Sequence, residues 1–206
     1  MRISTIISDL GGVLVTVDKG IMAREFAKYS PIPLEGIRKH FSNRVLTDID
    51  LEFGKGLLTP EEFYERITRL LKIEGLSFGK FRKVYCEIFR RKEGIINFLR
   101  KLSGKYTIAL LSNTDSLHFE NWSKLLGPDM KIFKQLILSF QIHKAKPDKE
   151  IFLETATKLR SRPQQCVFID DRPEYAEAAT KVGMHGVHFV SLQQLKDDLA
   201  KLGVST

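Results

Sequence analysis

The 206-residue sequence has two cysteines and no long run of apolar residues. Cys86 and Cys166 are far apart and neither belongs to a Cys-x-x-Cys pair, a pattern that favours neither a zinc site nor a disulfide framework. No apolar stretch approaches the roughly 20 residues needed to span a bilayer. The amino terminus lacks the apolar region and cleavage site of a signal peptide. These absences predict a cytoplasmic protein with reduced thiols and no membrane partner.

The sequence also lacks internal repeats, low-complexity segments and a nucleic-acid-binding signature. The 33 Lys and Arg residues outnumber the 25 Asp and Glu residues, which gives a formal net charge of +8. The basic residues are spread along the chain, and the densest group is Arg90-Arg91-Lys92. We therefore interpret the charge as a solvated basic face, or as an attraction for small anionic substrates. Neither a nucleic-acid partner nor a protein partner is implied.

Apolar runs of strand length alternate with amphipathic stretches of helix length, which is typical of an α/β fold with a parallel sheet. Most of the apolar runs are nearly continuous, as expected for strands that are covered on both faces. The predicted strands cover residues 3–8, 107–112, 135–139, 167–170 and 186–190. The predicted helices cover residues 93–102, 150–159, 174–182 and 192–202.

Residues 18–90 interrupt this alternation, because they show several amphipathic helices and no clear strand. Thr59-Pro60-Glu61-Glu62 has the form of a capping box with proline at the first helical position. A helical insert after the first strand predicts a cap domain over the carboxyl edge of the sheet, where ligands bind in open α/β folds. We therefore expect a core of residues 1–17 and 91–206 and a helical cap of residues 18–90.

Several polar side chains lie where predicted strands end or just before a predicted helix. They are Asp9, Ser112, Asn113, Lys146, Asp170 and Asp171. A parallel sheet would bring these positions into one crevice. There, paired carboxylates can bind Mg²⁺, a lysine and a hydroxyl can hold a phosphoryl group, and a carboxylate can attack it.

Each of these residues also has a simpler interpretation. An aspartate after a strand often forms a turn, and Ser112-Asn113 would suit a helix N-terminus. Lys146 before a proline is typical of a solvated loop. The Asp170-Asp171 pair is stronger, because adjacent like charges at the end of a buried strand usually need a cation or lysine nearby. The occurrence of all of them in this order favours a functional site.

Four short motifs resemble those of the haloacid dehalogenase superfamily. In chain order they are Asp-Leu-Gly-Gly-Val-Leu at 9–14, Ser-Asn-Thr at 112–114, Lys-Pro-Asp at 146–148 and Phe-Ile-Asp-Asp at 168–171. The resemblance covers nearly the whole chain and implies a Rossmann-like parallel-sheet core with a helical cap after the first strand. Residues 111–118, with Trp122 shortly after, are similar to the bacterial sugar-phosphate phosphatases of the glucose-1-phosphatase branch.

The resemblance implies a Mg²⁺-dependent phosphomonoester hydrolase that acts on a small phosphorylated metabolite, such as a sugar phosphate. Asp9 would be the nucleophile and would be transiently phosphorylated. Mg²⁺ would be held by the Asp9 carboxylate, the Gly11 carbonyl and Asp171, with Asp170 in support.

The same resemblance assigns the groups around the phosphate. Ser112 and the backbone N–H groups around Leu10 and Asn113 would bind the phosphoryl oxygens. Lys146 would neutralise the negative charge that Asp9 and the phosphate bring together.

The sequence departs from the family pattern at two positions. Gly11 stands where phosphatases of the superfamily usually carry a second aspartate as general acid and base, and loss of such a group typically costs about 10²–10⁴-fold in rate. Tyr175 stands where an Asp or Asn often follows the fourth motif, and the adjacent Glu174 is a candidate for a supporting role.

Three interpretations of function therefore stay open. The chain is a slow or selective phosphatase, a metal-free 2-haloacid dehalogenase, or a phosphate-binding regulatory module with little turnover. The dehalogenases also lack the second aspartate, but the Asp170-Asp171 pair suits a metal-free site for an anionic haloacid poorly. In the predicted cap, Arg24, Arg44 and Lys55 are candidates for selecting the substrate.

Overall fold

The computed structural model describes residues 2–41 and 48–205. The strands in these residues are β1 (Thr5–Ser8), β2 (Val15–Val17), β3 (Phe89–Arg91), β4 (Thr107–Ser112), β5 (Gln135–Leu138), β6 (Cys166–Asp170) and β7 (His185–His188). Five of them form a sheet in the order β5-β4-β1-β6-β7, and every neighbouring pair in it is parallel. The predicted α/β fold with a parallel sheet is confirmed.

Helices cover both faces of this sheet and fill the chain between β2 and β3. They are α1 (Lys19–Phe26), α2 (Leu34–His40), α3 (Asp48–Gly54), α4 (Pro60–Leu70), α5 (Phe78–Cys86), α6 (Glu93–Leu102), α7 (Ser116–Leu126), α8 (Ser139–Ile142), α9 (Lys149–Lys158), α10 (Pro173–Lys181) and α11 (Leu192–Lys201). Within the part of the chain that the structure describes, none of them is long and apolar enough to cross a membrane.

The central strands are buried on both faces, which explains their continuous apolar sequences. All four residues of β1 are buried, and β6 is buried along its whole length. Since successive side chains of a strand point to opposite faces, Ile6 and Val167 belong to one hydrophobic cluster, and Ile7 and Phe168 belong to the other. The sheet therefore has a core on each side, and its strand ends are held rigidly.

The expectation that residues 18–90 contain no strand is wrong at its carboxyl end. β3 begins at Phe89 and pairs antiparallel with β2. Two further backbone hydrogen bonds extend this ribbon, from Asp18 N to Ile88 O at 2.8 Å and from Lys92 N to Leu14 O at 2.9 Å. Three-residue strands carry too little periodicity to be predicted from the sequence. The ribbon brings the two ends of the helical segment together.

Helices α1, α3, α4 and α5 pack around a cluster of aromatic side chains. The rings of Phe53 and Phe63 stack at 4.1 Å between centroids, and those of Phe26 and Phe81 stack at 5.1 Å. Phe81 also stacks on Tyr85 at 5.6 Å. Four helices thus contribute to one apolar centre, and aromatic pairs of this kind add to the free energy of burial.

The predicted capping box begins α4. Thr59 Oγ1 accepts a hydrogen bond from the Glu62 backbone N–H at 3.2 Å. The Glu62 carboxylate in turn accepts from the Thr59 backbone N–H at 2.8 Å. Both donors would otherwise lack a partner at the helix N-terminus, so this box fixes where α4 starts.

Hydrogen bonds also join the helical segment to the carboxyl edge of the sheet. Ser139, which is fully buried where β5 ends, accepts from the Thr114 backbone N–H at 2.9 Å. The same hydroxyl lies 2.5 Å from the carbonyl oxygen of Gly54 at the end of α3. His143 Nδ1 lies 2.7 Å from the Lys55 carbonyl oxygen. These contacts place α3 against the edge where the strands end.

The Phe63→Ala substitution is expected to lower the free energy of unfolding by about 3–5 kcal/mol, because it opens a cavity inside the aromatic cluster. Urea unfolding followed by circular dichroism measures the change. Leu57→Ala is the matched control, since Leu57 is 60% exposed and a surface substitution changes stability by about 0.5 kcal/mol or less. Equal changes in the free energy of unfolding would contradict a stabilising role of the aromatic cluster.

Candidate active site

A buried lysine lies between two aspartates at the carboxyl edge of the sheet. Lys146 Nζ donates to Asp9 Oδ1 at 2.7 Å and to Asp170 Oδ2 at 2.6 Å. Asp9 follows β1, Asp170 ends β6, and Lys146 lies in the loop before α9. Asp170 is fully buried, and Lys146 and Asp9 are 4% and 7% exposed. The parallel sheet therefore brings together charged residues that lie far apart in the sequence.

Asp171 adds a third carboxylate to this pair. One oxygen from each of Asp9, Asp170 and Asp171 lies within 4.8 Å of the others. Asp171 is the exposed member, so the cluster opens to solvent on its side. Carboxylate oxygens are the ligands that Mg²⁺ prefers, and one lysine leaves the summed charge of the cluster negative. The residues present therefore fit a divalent cation.

The turn after Asp9 requires glycine at position 12. Gly12 has a φ of +72°, a left-handed conformation that favours glycine. A Cβ on Gly12 would lie 2.1 Å from Asp171 Oδ2, so the absent side chain is what lets Asp171 approach the turn. Lys92 Nζ donates to the Gly12 carbonyl and holds the turn from the other side.

Gly11 is under no such constraint. A Cβ on Gly11 would meet Val17 Cγ2 at 3.5 Å and Asp9 Oδ2 at 4.0 Å, which are ordinary van der Waals contacts. A side chain at this position would therefore fit beside the Asp9 carboxylate. The preceding Leu10 is buried, and its carbonyl accepts from the backbone N–H groups of Leu14 and Val15 at 2.8 and 3.1 Å. These two bonds close the turn.

Burial and charge shift the pKa values of the cluster. Burial, with a smaller contribution from Asp170, raises the pKa of Asp9 to about 7, although Lys146 opposes the shift. Burial and Asp170 also raise the pKa of Asp171. Burial by itself lowers the pKa of Lys146, but Asp9 and Asp170 outweigh it, and the pKa of Lys146 is raised. Lys146 is therefore charged, and the raised pKa values of Asp9 and Asp171 favour a bound cation or proton there.

Ser112 and Asn113 lie at the end of β4, beside this cluster. Ser112 is the last residue of the strand and is 3% exposed. Asn113 forms a reciprocal pair with the backbone of Lys146. Its Nδ2 donates to the Lys146 carbonyl, and its Oδ1 accepts from the Lys146 N–H, both at 2.9 Å. The Asn113 side chain thus fixes the loop that carries Lys146, a role that the motif comparison did not predict.

Tyr175 is a site residue that the sequence analysis did not select. Lys146 Nζ lies 5.0 Å from the centre of its ring, and the Arg172 guanidinium carbon lies 4.3 Å from it. The Tyr175 hydroxyl accepts from Arg172 Nη1 at 2.7 Å. Glu174, the candidate for support, faces solvent, and its Oε1 accepts from Arg172 Nε at 2.8 Å. Glu174 therefore pairs with Arg172 at the surface. The side chain that lies next to Lys146 is the ring of Tyr175.

The candidates for substrate selection lie at the surface or outside the described residues. Lys55 Nζ lies 3.7 Å from Asp148 Oδ2 on the surface, and Arg24 is exposed. Arg44 lies outside the residues that the structure describes.

A second polar group lies where α5 meets the start of α7. The Tyr85 hydroxyl donates to Asp115 Oδ2 at 3.1 Å, and His118 Nδ1 lies 2.7 Å from the same oxygen. The rings of His118 and Tyr85 stack at 4.1 Å. His118 therefore packs between the helical segment and the sheet edge. Asp115, Tyr85 and His118 connect the second motif to α5.

Known proteins that are similar to this chain include a hydrolase family and two curated hydrolases. A model of haloacid dehalogenase-like hydrolases matches residues 3–183. Flavin mononucleotide hydrolase 1 from Arabidopsis thaliana is 29% identical over 161 residues, which are 75% of this chain and 62% of that protein. A D-ribitol-5-phosphate phosphatase from Bacteroides thetaiotaomicron is 28% identical over 181 residues, 82% of this chain and 83% of that protein. The chain thus spans less than two thirds of the plant relative's length.

A solved structure is similar over nearly its whole length. It is a crystal structure of a haloacid dehalogenase family enzyme from Bacteroides thetaiotaomicron in complex with magnesium and inorganic phosphate. The TM-score is 0.81 and the sequence identity is 26%, over 94% of this chain and 98% of that one.

The raised pKa of Asp9 predicts how the stability of the metal-free protein depends on pH. Asp9 titrates near 7 when folded and near 3.8 when unfolded, so the folded state binds more protons between these values. Raising the pH through this window therefore destabilises the folded protein, and the destabilisation is complete above about pH 7. The Tm of Asp9→Asn minus that of the wild type, measured in EDTA, is expected to increase from about pH 4 to pH 7.

The control for this experiment is Asp197→Asn, because Asp197 is exposed on α11. Its Tm difference from the wild type is expected to stay flat over the same range. A flat difference for Asp9→Asn as well would show that Asp9 titrates alike in the folded and unfolded states.

Proposed function

Because the chain belongs to the haloacid dehalogenase-like hydrolases, we propose that it is a Mg²⁺-dependent phosphomonoester hydrolase with Asp9 as its nucleophile. One observation carries this proposal. The Asp9 carboxylate shares Lys146 with Asp170, and the three aspartates approach within 4.8 Å of one another. The cluster thus combines a nucleophile, a cation site and a positive charge next to the attacking group.

The proposed reaction has two steps at phosphorus. Asp9 Oδ1 accepts from Lys146, so we assign the attack to Asp9 Oδ2. Attack forms an aspartyl-phosphate and breaks the bond from phosphorus to the leaving oxygen, which keeps the electron pair and takes up a proton. Water then attacks the same phosphorus, releases a proton to solvent and breaks the bond between phosphorus and Asp9. Inorganic phosphate leaves, and the Asp9 carboxylate is restored.

Residues around Asp9 hold the charges of this reaction in place. Ser112, at the end of β4, and the backbone N–H groups near Leu10 and Asn113 would bind the phosphoryl oxygens. Lys146 stabilises the negative charge that builds up between Asp9 and the phosphate. Because its charge is buried and fixed by two carboxylates, little reorganisation is needed during the reaction.

The cation site would be formed by the Asp9 carboxylate, the Gly11 carbonyl and Asp171, with Asp170 in support. Mg²⁺ bound there would offset the negative charge of the carboxylates and the substrate phosphate. The proposed site needs glycine at Gly12, because a side chain there would displace Asp171.

The relatives suggest the class of substrate. One acts, by its name, on flavin mononucleotide and another on D-ribitol 5-phosphate. Both compounds carry phosphate on the primary carbon of an open ribityl chain. We propose that this chain likewise hydrolyses a small phosphorylated metabolite, of the polyol-phosphate or sugar-phosphate class.

We further propose that residues 18–90 act as a cap domain on a core of residues 1–17 and 91–206. The ribbon of β2 and β3 joins the two parts, and Ser139 bonds the end of α3 to the sheet edge. A cap in this position would exclude water from the aspartyl-phosphate until the leaving group departs.

Hydrolysis of p-nitrophenyl phosphate in Mg²⁺ and in EDTA tests the proposed activity. We expect turnover that requires Mg²⁺ and that falls at least about 10⁴-fold in Asp9→Asn, because an amide oxygen cannot replace the nucleophile. Asp197→Asn is the matched control and should retain wild-type turnover, since that aspartate is exposed on α11.

The alternative functions give different results in the same assays. Halide release from a 2-haloacid in EDTA would indicate a metal-free dehalogenase, which the three clustered carboxylates disfavour because they repel an anionic substrate. Binding of Mg²⁺ and phosphate without turnover would indicate a regulatory module. Turnover retained by Asp9→Asn would remove Asp9 from the nucleophile role.

The open space at Gly11 predicts the result of restoring a carboxylate there. Gly11→Asp is expected to raise kcat on ribitol 5-phosphate by about tenfold or more, because a general acid can protonate its poor leaving group. Hydrolysis of p-nitrophenyl phosphate should gain less, since nitrophenolate leaves without a proton. Gly11→Asn is the control of equal size. Equal changes of kcat in both variants would contradict a general-acid effect and would show that glycine is needed here for the backbone conformation.

A further inference from the structure

Three polar side chains of the helical segment lie together between the helices. Lys19 begins α1, His40 ends α2, and Asp50 lies in the first turn of α3. His40 Nε2 lies 3.8 Å from Asp50 Oδ2, and their side chains are 10% and 14% exposed. Lys19 interacts electrostatically with both of them. No sequence motif predicts this group, because each residue belongs to a different helix.

This group, the Lys19–His40–Asp50 cluster, faces the loops that carry the proposed active site. Lys19 also interacts electrostatically with Asp115 and Arg172. Asp115 follows the second motif directly, and Arg172 follows Asp171. Val17, two residues before Lys19, would meet a Cβ on Gly11 at 3.5 Å. Lys19 therefore lies close in the chain to the turn that follows Asp9, and it interacts with the loops after the second and fourth motifs.

His40 has hydrogen-bonding capacity that the described residues leave unused. His40 Nε2 is buried and has no hydrogen-bond partner among them. Lys19 is half-buried and interacts electrostatically with both His40 and Asp50. Buried polar groups in native proteins are almost always paired with protein, water or ligand. A buried imidazole nitrogen without a hydrogen-bond partner, with an ammonium group nearby, indicates a place where a polar ligand binds.

The charges around the cluster indicate the chemistry of that ligand. Lys19 has the acids Asp50 and Asp115 nearby, and the Arg172 guanidinium is paired with Glu174 at 2.8 Å. The cluster therefore has no strong excess of positive charge that would favour a second anionic group on the substrate. The polar lining equally disfavours an apolar leaving group, whose burial would leave these groups without partners.

We infer that Lys19, His40 and Asp50 determine specificity by binding hydroxyl groups of the leaving group, an inference that rests on the proposed hydrolysis at Asp9. The favoured substrates are phosphomonoesters of small neutral polyols or sugars. A carboxylate accepts from a hydroxyl group, an ammonium donates to one, and an imidazole can do either, so the three residues suit a chain of hydroxyl groups. A site built on such bonds discriminates strongly against substrates that lack them.

Calorimetric binding in the Asp9→Asn background, with Mg²⁺ present, tests this inference separately from turnover. D-ribitol 5-phosphate is compared with inorganic phosphate, so that the difference reports the leaving group. We expect ribitol 5-phosphate to bind more tightly than inorganic phosphate, and Lys19→Met and Asp50→Asn each to weaken its binding at least tenfold. Lys28→Met is the matched control, because Lys28 is exposed and pairs with Glu25.

Two outcomes would overturn the inference. Ribitol 5-phosphate could bind no more tightly than inorganic phosphate, or Lys19→Met could bind it as tightly as Lys28→Met does. Tighter binding of a prenyl phosphate or of a sugar bisphosphate would overturn it as well, in favour of an apolar or a doubly anionic leaving group. Tight binding of ribitol 5-phosphate without turnover by the wild-type protein would contradict the proposed hydrolysis and leave the inference standing.

Discussion

The ammonium group of Lys146, buried between two carboxylates, is the interaction on which the rest of the site depends. It joins the end of β1 to the end of β6 through contacts of 2.7 and 2.6 Å. A buried charge that loses its partner is strongly destabilising, so Lys146, Asp9 and Asp170 must stay together. Asn113 forms two hydrogen bonds with the backbone of Lys146, and the ring of Tyr175 lies beside the Lys146 ammonium group.

Two adjacent glycines show how the backbone serves this charge cluster in different ways. Gly12 has a left-handed conformation and leaves room for Asp171, so a side chain there would push the third carboxylate away. Gly11 lies in ordinary van der Waals surroundings, and the structure has space for a side chain beside Asp9. The constraint at Gly12 is steric. In our proposal, the residue at position 11 instead affects protonation of the leaving group.

In our proposal, the helical segment provides the selectivity for the leaving group that the sheet edge lacks. The three aspartates and Lys146 suit a phosphate and a cation, and they contain nothing that distinguishes one alcohol from another. In our proposal the Lys19–His40–Asp50 cluster supplies that distinction from a separate set of helices. Binding energy from a remote part of the substrate would then position the phosphate on Asp9, as is general for enzymes. The network through Asp115 and Tyr85 joins the two regions.

The parallel sheet and the polar residues at its edge could be predicted from the sequence, since buried parallel strands have continuous apolar runs and end at a common edge. The sequence did not predict β2 and β3, which are too short to show a pattern. Three contacts of the folded chain could not be predicted in this way: Glu174 with Arg172, the ring of Tyr175 beside Lys146, and the approach of Lys19, His40 and Asp50. Such contacts depend on how separate helices pack, and no local spacing in the sequence encodes that packing.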